Sequence, residues 1–425
     1  MLIEQPNHSS VPNSSIPPIL HHLNREKSNK SMASSPIPDD VALTILSKLP
    51  LKSLKRFTCV HKSWPPLLEN PYFMNMFRTN FLSKHDSSYD DDTSLLLVST
   101  DSMVYPNPKS PYLLSGDKFE NIVKLNWSPP FQGEFPFLIG SFIHGIVCLQ
   151  SNRAKFVLWN PATHEFKILP PSPLEYKRYV NIMISSLGFG YDPVRDDFKL
   201  IRLLWYYPPS GCDGNGDGWQ GPLPDPLPFN YGPGWEIYSL RSNSWRKLDM
   251  PFVHDVPLID CDNDMCMNGV CHWFGIVEEY RNETHYLASF NLSNEVFCIT
   301  PLPLDLTSRW VRKSLVALSE SIAVILKNEE TTSFHIWILG ELGVKESWTK
   351  LFIVGPMPGV ALPIGVGKNG DIFFRKENGE LALFDLSTNM LEEIAIEEQL
   401  DAYSRIRSYK ERLLPIGRTE HRLFL

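Results

Sequence analysis

Hydrophobic and polar residues follow two different periods along the chain. In residues 36–80 the apolar residues recur at helical spacing, whereas from about residue 95 onward apolar and polar residues alternate with a period of two. The first pattern predicts short helices and the second predicts β-strands. We therefore expect an α+β chain with a small helical module at the front and an all-β domain behind it.

The helical module contains three short predicted helices. Asp39 and Asp40 precede an apolar-periodic stretch, where their carboxylates can accept hydrogen bonds from the first backbone N–H groups, and Pro50 ends that helix. Residues 52–58 and 62–68 have the pattern of a second and a third helix. Helices this short bury little apolar surface by themselves. Their apolar face therefore needs a partner.

The β region repeats a unit of about fifty residues, the spacing of the blades of a β-propeller. Each unit has an apolar strand followed by a hairpin that turns at a short polar segment. The apolar strands are 143–149, 198–204, 268–274, 321–326 and 370–374, and the hairpins are 156–170, 235–249, 287–303, 334–352 and 381–394.

These units predict a propeller of about six blades. Residues 95–100 supply part of a further blade, which residues 405–416 complete if both ends of the β domain pair with each other. The same hairpins could instead build a twisted β-sandwich, which is the competing interpretation.

Composition excludes several classes of protein. The 425 residues are 43% hydrophobic, which suits two or three folded domains, and the formal charge of −8 with no long basic run argues against nucleic-acid binding. No apolar run reaches about eighteen residues, so we expect no membrane span. Seven scattered cysteines, with no basic-then-apolar leader, favour a reducing compartment. We expect a cytoplasmic or nuclear location, or both.

Two fragments imitate known ligand sites and lack their context. Gly365, Gly367 and Gly370 spell a G-x-G-x-x-G sequence, but a predicted strand follows them where a dinucleotide loop requires a helix. Residues 260–264 imitate the start of a calcium loop, yet Met265 stands where the turn needs glycine. We interpret the first as a hairpin turn and expect no cofactor at either.

The remaining candidate is a cluster of cysteine and histidine. Cys261, Cys266, Cys271 and His272 have spacings unlike those of zinc ligands, and adjacent residues of a strand point to opposite faces. Carboxylates are too evenly spread to nominate an acid and base pair, and no nucleophile motif is present. The sequence predicts no metal site and no catalytic site, and hence no enzyme.

One predicted connection is much longer than the others. Residues 207–234 are rich in glycine and proline and include Trp219, Phe229 and Tyr231. Aromatic residues on a semi-rigid loop suit a binding hot spot, so these three are candidate target-binding residues. An insertion without a partner is the alternative.

The helical module resembles the F-box of plant F-box proteins. The resemblance rests on I-P-D-D-V, then I-L-x-x-L-P-L-K-S-L, then R-F-x-C-V-x-K-S-W, although Pro65 and Pro66 depart from the family pattern after the tryptophan. It implies docking on a Skp-type adaptor, and through it on a cullin, so that a bound target is ubiquitinated by other subunits. The implied core or adaptor-contact residues are Pro38, Ile45, Leu46, Leu49, Pro50, Leu54, Val60, Lys62 and Trp64.

The β region resembles the F-box-associated domain of the same plant proteins. The similar segments are G-S-F-I-H-G-I-V-C-L, L-W-N-P-A-T-H-E-F-K-I-L-P, G-F-G-Y-D-P-V-R-D-D-F-K-L-I-R and N-G-V-C-H-W. This resemblance implies that the β domain captures a target protein. A binding or scaffold protein with a vestigial F-box is the main alternative, and a lectin-like or small-molecule-sensing propeller is a distant third.

The predicted organisation has five parts. They are a disordered extension (1–35), the helical module (36–80), an acidic linker (81–94), the β domain (95–417) and a short tail (418–425).

Overall fold

The computed structural model describes most of the β region and parts of the helical module. The described residues are 39–49, 53–54, 70–83, 93–99, 110–116, 119–125, 137–150, 155–173, 181–207, 232–249, 259–279, 282–303, 310–367, 370–411 and 416. The boundary between two compact units of the chain lies after Ile45.

Two α-helices lie in the described part of the helical module. Helix α1 is Asp39–Leu46 and helix α2 is Pro71–Ser83, and residues 53–54 are also helical. Neither is long and apolar enough to cross a membrane. The rest of the predicted helices at 52–58 and 62–68, the extension 1–35, residues 84–92 of the linker and the tail 418–425 lie outside the described residues. Helix α2 continues past residue 80, where the predicted module ends.

The described strands form six four-stranded antiparallel sheets, the blades of a β-propeller. Blade 1 contains β1 (Thr93–Val98), β2 (Tyr112–Ser115), β3 (Asn121–Lys124) and β24 (Arg405–Lys410). Blade 2 contains β4 (Phe137–Ile143), β5 (Ile146–Gln150), β6 (Phe156–Asn160) and β7 (Glu165–Ile168), and blade 3 contains β8 (Asn181–Asp192), β9 (Asp197–Tyr207), β10 (Gly232–Ser239) and β11 (Ser244–Leu248). Blade 4 contains β12 (Ile259–Met267), β13 (Val270–Glu279), β14 (Asn282–Asn291) and β15 (Val296–Pro301). Blade 5 contains β16 (Trp310–Leu318), β17 (Ser321–Asn328), β18 (Ser333–Leu339) and β19 (Trp348–Val354), and blade 6 contains β20 (Val360–Val366), β21 (Ile372–Lys376), β22 (Leu381–Asp385) and β23 (Met390–Ile394).

The six-bladed prediction is confirmed and the β-sandwich interpretation is wrong. The innermost strands contact one another in a closed ring, in the order β4, β8, β12, β16, β20 and β24. The five predicted hairpins are the third and fourth strands of blades 2 to 6, and the predicted apolar strands are their second strands.

Sequence analysis missed the innermost strand of each of these blades. In β20, V-A-L-P-I-G-V, all seven residues are buried and none alternates with a polar neighbour. A strand that is covered on both faces loses the period-two signal by which strands are recognised.

Blade 1 is built from both ends of the β domain, as the sequence predicted. Strand β24 pairs with β1, with Ile406 opposite Leu97 and Ser408 opposite Leu95. Ile406 is 1% exposed and belongs to a buried cluster with Leu95, Leu97 and Ile364 of blade 6. The ring is therefore closed by strand pairing and by a shared apolar core.

A buried ion pair beside the first turn of blade 3 makes hydrogen bonds to blade 4. Lys199 Nζ lies 2.7 Å from a carboxylate oxygen of Asp192 and donates to the carbonyl of Leu292 at 2.8 Å. Burial by itself would raise the pKa of Asp192, but hydrogen bonds from Lys199, Ser293 and Arg195 outweigh it and hold that pKa well below its usual range. The motif Tyr191-Asp192 thus ends a strand and also fixes one blade to the next.

We expect the closing strand to be the most sensitive part of the ring. Ile406→Ala should lower the free energy of unfolding by about 2–5 kcal/mol because it leaves a cavity in the closure core. The matched control is Ile353→Ala on β19, where the side chain is 60% exposed, and its effect should stay within about 0.5 kcal/mol. Urea unfolding measures both, and equal effects would contradict closure by β24.

Candidate docking surfaces

Helix α1 presents two large apolar side chains at its surface. Val41 is 44% exposed and Ile45 is 50% exposed. Residues four apart lie on the same face of a helix, so the two side chains form one apolar strip. Helix α1 belongs almost wholly to the first compact unit. This strip is a candidate contact surface for another protein.

The predicted adaptor residues separate into surface and interior positions. Ile45 is at the surface, whereas Leu46 is 4% exposed, Leu54 is fully buried and Leu49 is partly buried. Leu46 and Leu54 therefore serve the interior of the second unit, and Ile45 remains available to a partner. The other predicted residues, Pro38, Pro50, Val60, Lys62 and Trp64, lie outside the described residues, as do Pro65 and Pro66.

Sequence analysis did not identify helix α2, although its signal is present. Asn70 caps the helix, since its Oδ1 accepts hydrogen bonds from the backbone N–H groups of Tyr72 at 2.9 Å and Phe73 at 3.3 Å. Pro71 suits the first helical position. Phe73, Phe77 and Phe81 recur every four residues and are 0%, 2% and 9% exposed. Such a stripe of phenylalanines requires burial against other structure.

Helix α2 is attached to the fifth blade of the propeller. Arg78 Nε donates a hydrogen bond to the carbonyl of Leu351 in β19, and its guanidinium carbon lies 5.9 Å from the centre of the Phe352 ring. At the end of the helix, Ser319 Oγ donates to the carbonyl of Phe81 at 3.4 Å. The helix therefore contacts both the outer strand of blade 5 and the turn between its first two strands.

The two faces of the propeller carry different connections. The Ser319–Glu320 turn, which helix α2 contacts, joins the first and second strands of blade 5, and we call that side of the ring the helix face. Connections between second and third strands lie at the other end of each blade, because neighbouring strands are antiparallel. We call that side the loop face. Blade 3 places the ends of its long connection, Tyr207 and Gly232, on the loop face.

The candidate target-binding residues belong to that long connection. Trp219, Phe229 and Tyr231 lie outside the described residues, so their role stays a prediction. The two strands that the connection joins are paired with each other, with Tyr206 opposite Gly232 and Leu204 opposite Gly234. The long connection thus starts and ends on the face opposite to helix α2.

The glycine motif is confirmed as part of a hairpin. Gly365 lies in β20 and Gly370 comes just before β21, so the segment joins two strands of blade 6 and does not lead into a helix. An added Cβ at Gly365 would approach the carbonyl oxygen of Ile406 to 2.5 Å. This glycine permits the close approach of blade 6 to the closing strand.

Three members of the cysteine and histidine cluster, Cys266, Cys271 and His272, are buried in blade 4. Cys266 and Cys271 are opposite each other on β12 and β13, and both are buried free thiols. His272 is 1% exposed, and its Nδ1 lies 2.8 Å from Ser289 Oγ of the next strand. Among the described residues, no group of three or more His, Cys, Asp or Glu side chains could hold a metal ion.

Comparisons with known proteins identify both parts of the chain. The model of the F-box associated beta propeller domain family matches residues 138–413, and that of the F-box domain matches residues 35–75. Two Arabidopsis thaliana proteins that carry F-box protein names are similar: one is 26% identical over 345 residues (79% of this chain, 73% of the relative), and one is 25% identical over 336 residues (75% and 72%). Among solved structures, an oligogalacturonate lyase from Vibrio parahaemolyticus overlaps with a TM-score of 0.38 at 9% identity, covering 67% of this chain and 71% of that one.

Because His272 is buried, we expect the protein to lose stability in mild acid. Burial lowers the pKa of His272 to about 3, whereas a histidine in an unfolded chain titrates near about 6.5. Between these values only the unfolded chain binds the proton, so the free energy of unfolding should fall by up to about 1.4 kcal/mol per pH unit below pH 6.5. Urea unfolding at pH 7, 6 and 5 measures this slope.

The variant His272→Asn should remove this contribution, because asparagine can still hydrogen-bond Ser289 but does not titrate. The control is the exposed His164→Asn, which should keep the slope of the unmodified protein. A slope that is unchanged in His272→Asn would show that other groups cause the acid sensitivity.

Proposed function

The chain belongs to the F-box-associated β-propeller family, and on that basis we propose that it is the target-recognition subunit of a Skp–cullin–F-box ubiquitin ligase. The F-box docks on a Skp-type adaptor that is held by a cullin, and the propeller captures a target protein. Other subunits transfer the ubiquitin. The chain itself contributes binding surfaces and no catalytic group or cofactor.

The observation that supports adaptor docking is the apolar strip on helix α1. Val41 and Ile45 are each close to half exposed and lie on the same side of the helix, within the segment that matches the F-box. Exposed apolar side chains that lie side by side favour contact with another protein, since their burial removes apolar surface from water. A Skp-type adaptor is the partner that the F-box implies.

Target capture is assigned to the loop face. Helix α2 occupies part of the opposite face through Phe81 and Ser319, so a target on the loop face does not compete with helix α2 for the same surface. Loops that project from a rigid scaffold commonly carry binding residues. Trp219, Phe229 and Tyr231 are the proposed anchors, since aromatic residues dominate binding energy at interfaces.

The same proposal places the protein in the cytoplasm, the nucleus or both, where the other subunits of such a ligase act. It involves neither nucleic acid nor a membrane. The described cysteines support a reducing compartment, since Cys148, Cys266, Cys271 and Cys298 are all free thiols.

The competing proposal is a non-degradative scaffold whose F-box no longer binds an adaptor. Leu46 and Leu54 are compatible with both proposals, because their burial would be needed in either case. Adaptor binding by the full chain distinguishes the two, and the exposed Ile45 is the residue on which to test it.

We expect Ile45→Asp to weaken adaptor binding strongly without affecting folding. The substitution puts a charge into an apolar interface and should cost about 3 kcal/mol, roughly a hundredfold in Kd. Calorimetric titration of the full chain with a purified Skp-type adaptor measures this. The adjacent Thr44→Asp, also at an exposed position, introduces the same charge elsewhere on the helix and should bind within about threefold of the unmodified chain.

Retention of full affinity by Ile45→Asp would contradict docking through this strip. If the unmodified chain binds none of the Skp-type adaptors, the scaffold proposal is favoured instead. Circular dichroism and thermal unfolding of both variants show whether the fold is intact.

We expect the long connection of blade 3 to be needed for target capture and not for adaptor binding. Tyr206 pairs with Gly232, so a short turn can join the two strands in their present register. In the shortened form, Asn-Gly replaces residues 208–230, because this pair favours a two-residue hairpin turn. The same form carries the substitution Tyr231→Thr. Proximity labelling under proteasome inhibition compares the proteins captured by the two forms.

Proteins that are labelled by the unmodified chain and lost with the shortened connection are the expected targets. The triple variant Trp219→Ala, Phe229→Ala, Tyr231→Ala keeps the length of the connection and, as a second test variant, should lose the same proteins. An identical set of labelled proteins in all forms would reject the connection as the capture site.

A further inference from the structure

The outer strand of blade 5 contains an irregularity that faces helix α2. Ile336 of β18 pairs with Phe352, and the next residue, Trp337, pairs with Lys350, so Leu351 is the extra residue of a β-bulge. Leu351 is fully buried. The extra residue of a bulge is left unpaired in the regular ladder, so its backbone carbonyl can accept a hydrogen bond from a donor outside the sheet.

Arg78 of helix α2 supplies such a donor. Its Nε donates to the Leu351 carbonyl, and its guanidinium group lies against the ring of Phe352 with 5.9 Å between the guanidinium carbon and the ring centre. Arg78 is partly buried, and this burial lowers the pKa of its guanidinium group from the usual value. The arginine therefore connects the helix to the bulge residue of the outer strand of blade 5.

A second contact holds helix α2 near its carboxyl end. Ser319 and Glu320 both have positive φ angles, 45° and 58°, as expected for a tight two-residue hairpin turn. Ser319 Oγ donates to the Phe81 carbonyl at 3.4 Å. Contacts at Arg78 and Phe81, roughly one helical turn apart, fix both the position and the direction of the helix.

Helix α2 is also continuous with the F-box. The F-box match ends at residue 75, inside the helix, and Asn80 Nδ2 donates to Ser47 Oγ at 2.7 Å. The part of the module that begins at Leu46 thus belongs to the same compact unit as the propeller.

We propose that Arg78 is a positioning residue that holds helix α2 on the bulge of blade 5, so that the described part of the F-box from Leu46 onward keeps one position relative to the propeller. This inference rests on the proposed function. Arg78 touches neither the adaptor nor the target in this proposal. It acts through the helix, by restricting where a captured target is presented to the subunits that transfer ubiquitin.

The test compares Arg78→Leu with a matched control in the full chain. Arg375 is the control residue, because its Nε also donates to a backbone carbonyl, that of Leu400 at 3.0 Å, on blade 6. Arg375→Leu therefore removes the same kind of bond away from helix α2. Ser319→Gly is a second test variant that removes the other contact and suits the positive φ of its turn.

Two measurements are made on each variant. The first is amide hydrogen exchange of residues 74–83 in the chain alone. The second is electron-microscopic imaging of the chain with a Skp-type adaptor and a cullin, which gives the spread of adaptor positions around the propeller. Adaptor affinity, measured by calorimetry, is expected to stay unchanged in all variants.

The expected result is faster exchange of the α2 amides in Arg78→Leu, by about tenfold to a hundredfold, and a broadened distribution of adaptor positions. Ser319→Gly should show a smaller effect in the same direction, and Arg375→Leu none at these amides. Unchanged exchange and an unchanged distribution in Arg78→Leu would overturn the proposal.

The two proposals can fail separately. If no Skp-type adaptor binds the unmodified chain, the proposed function fails, and the exchange measurement still decides whether Arg78 holds the helix. If the adaptor binds and Arg78→Leu loses affinity as well as order, Arg78 is a direct contact of the adaptor and the positioning role is rejected.

Discussion

The architecture depends on the pairing of β24 with β1, which closes the ring of six blades. No blade of a propeller can cover its own faces, so each blade contributes half of two apolar interfaces. Leu95 and Leu97 come from near the start of the β domain and Ile406 from near its end, and together they fill the junction with blade 6. Without this closure the interfaces at both ends of the array would be exposed to water.

Within the closed ring, polar groups also link one blade to another. Lys199 and Asp192 are buried together where blade 3 meets blade 4, and Arg407 of the closing strand donates to the carbonyl of Asp264 in blade 4 at 3.3 Å. A buried charge is stable only when it is paired and hydrogen-bonded. Such pairs make the relative position of the blades specific, and they give the loops a rigid support.

The part of the helical module that begins at Leu46 belongs to the same compact unit as the propeller. Leu46, Leu54 and the phenylalanine stripe of helix α2 are buried within the unit that contains the propeller, whereas Val41 and Ile45 stay exposed on helix α1. One part of the module therefore serves the fold and another part is available for recognition. This division of the module agrees with the proposed function, in which the chain binds an adaptor and a target.

The sequence by itself determined the class of the protein. Period-two hairpins repeated every fifty residues indicated the propeller, the paired ends 95–100 and 405–416 indicated its closure, and the F-box segments indicated the adaptor module. Sequence analysis could not find strands such as β20, because burial on both faces removes the alternation of polar and apolar residues. It also could not show that Ile45 is exposed while Leu46 is buried, since the two are neighbouring apolar residues of one helix and differ in what packs against them. The bulge at Leu351 and its contact with Arg78, 273 residues away, exist only in the tertiary structure, because a donor and an acceptor so distant in sequence leave no local pattern.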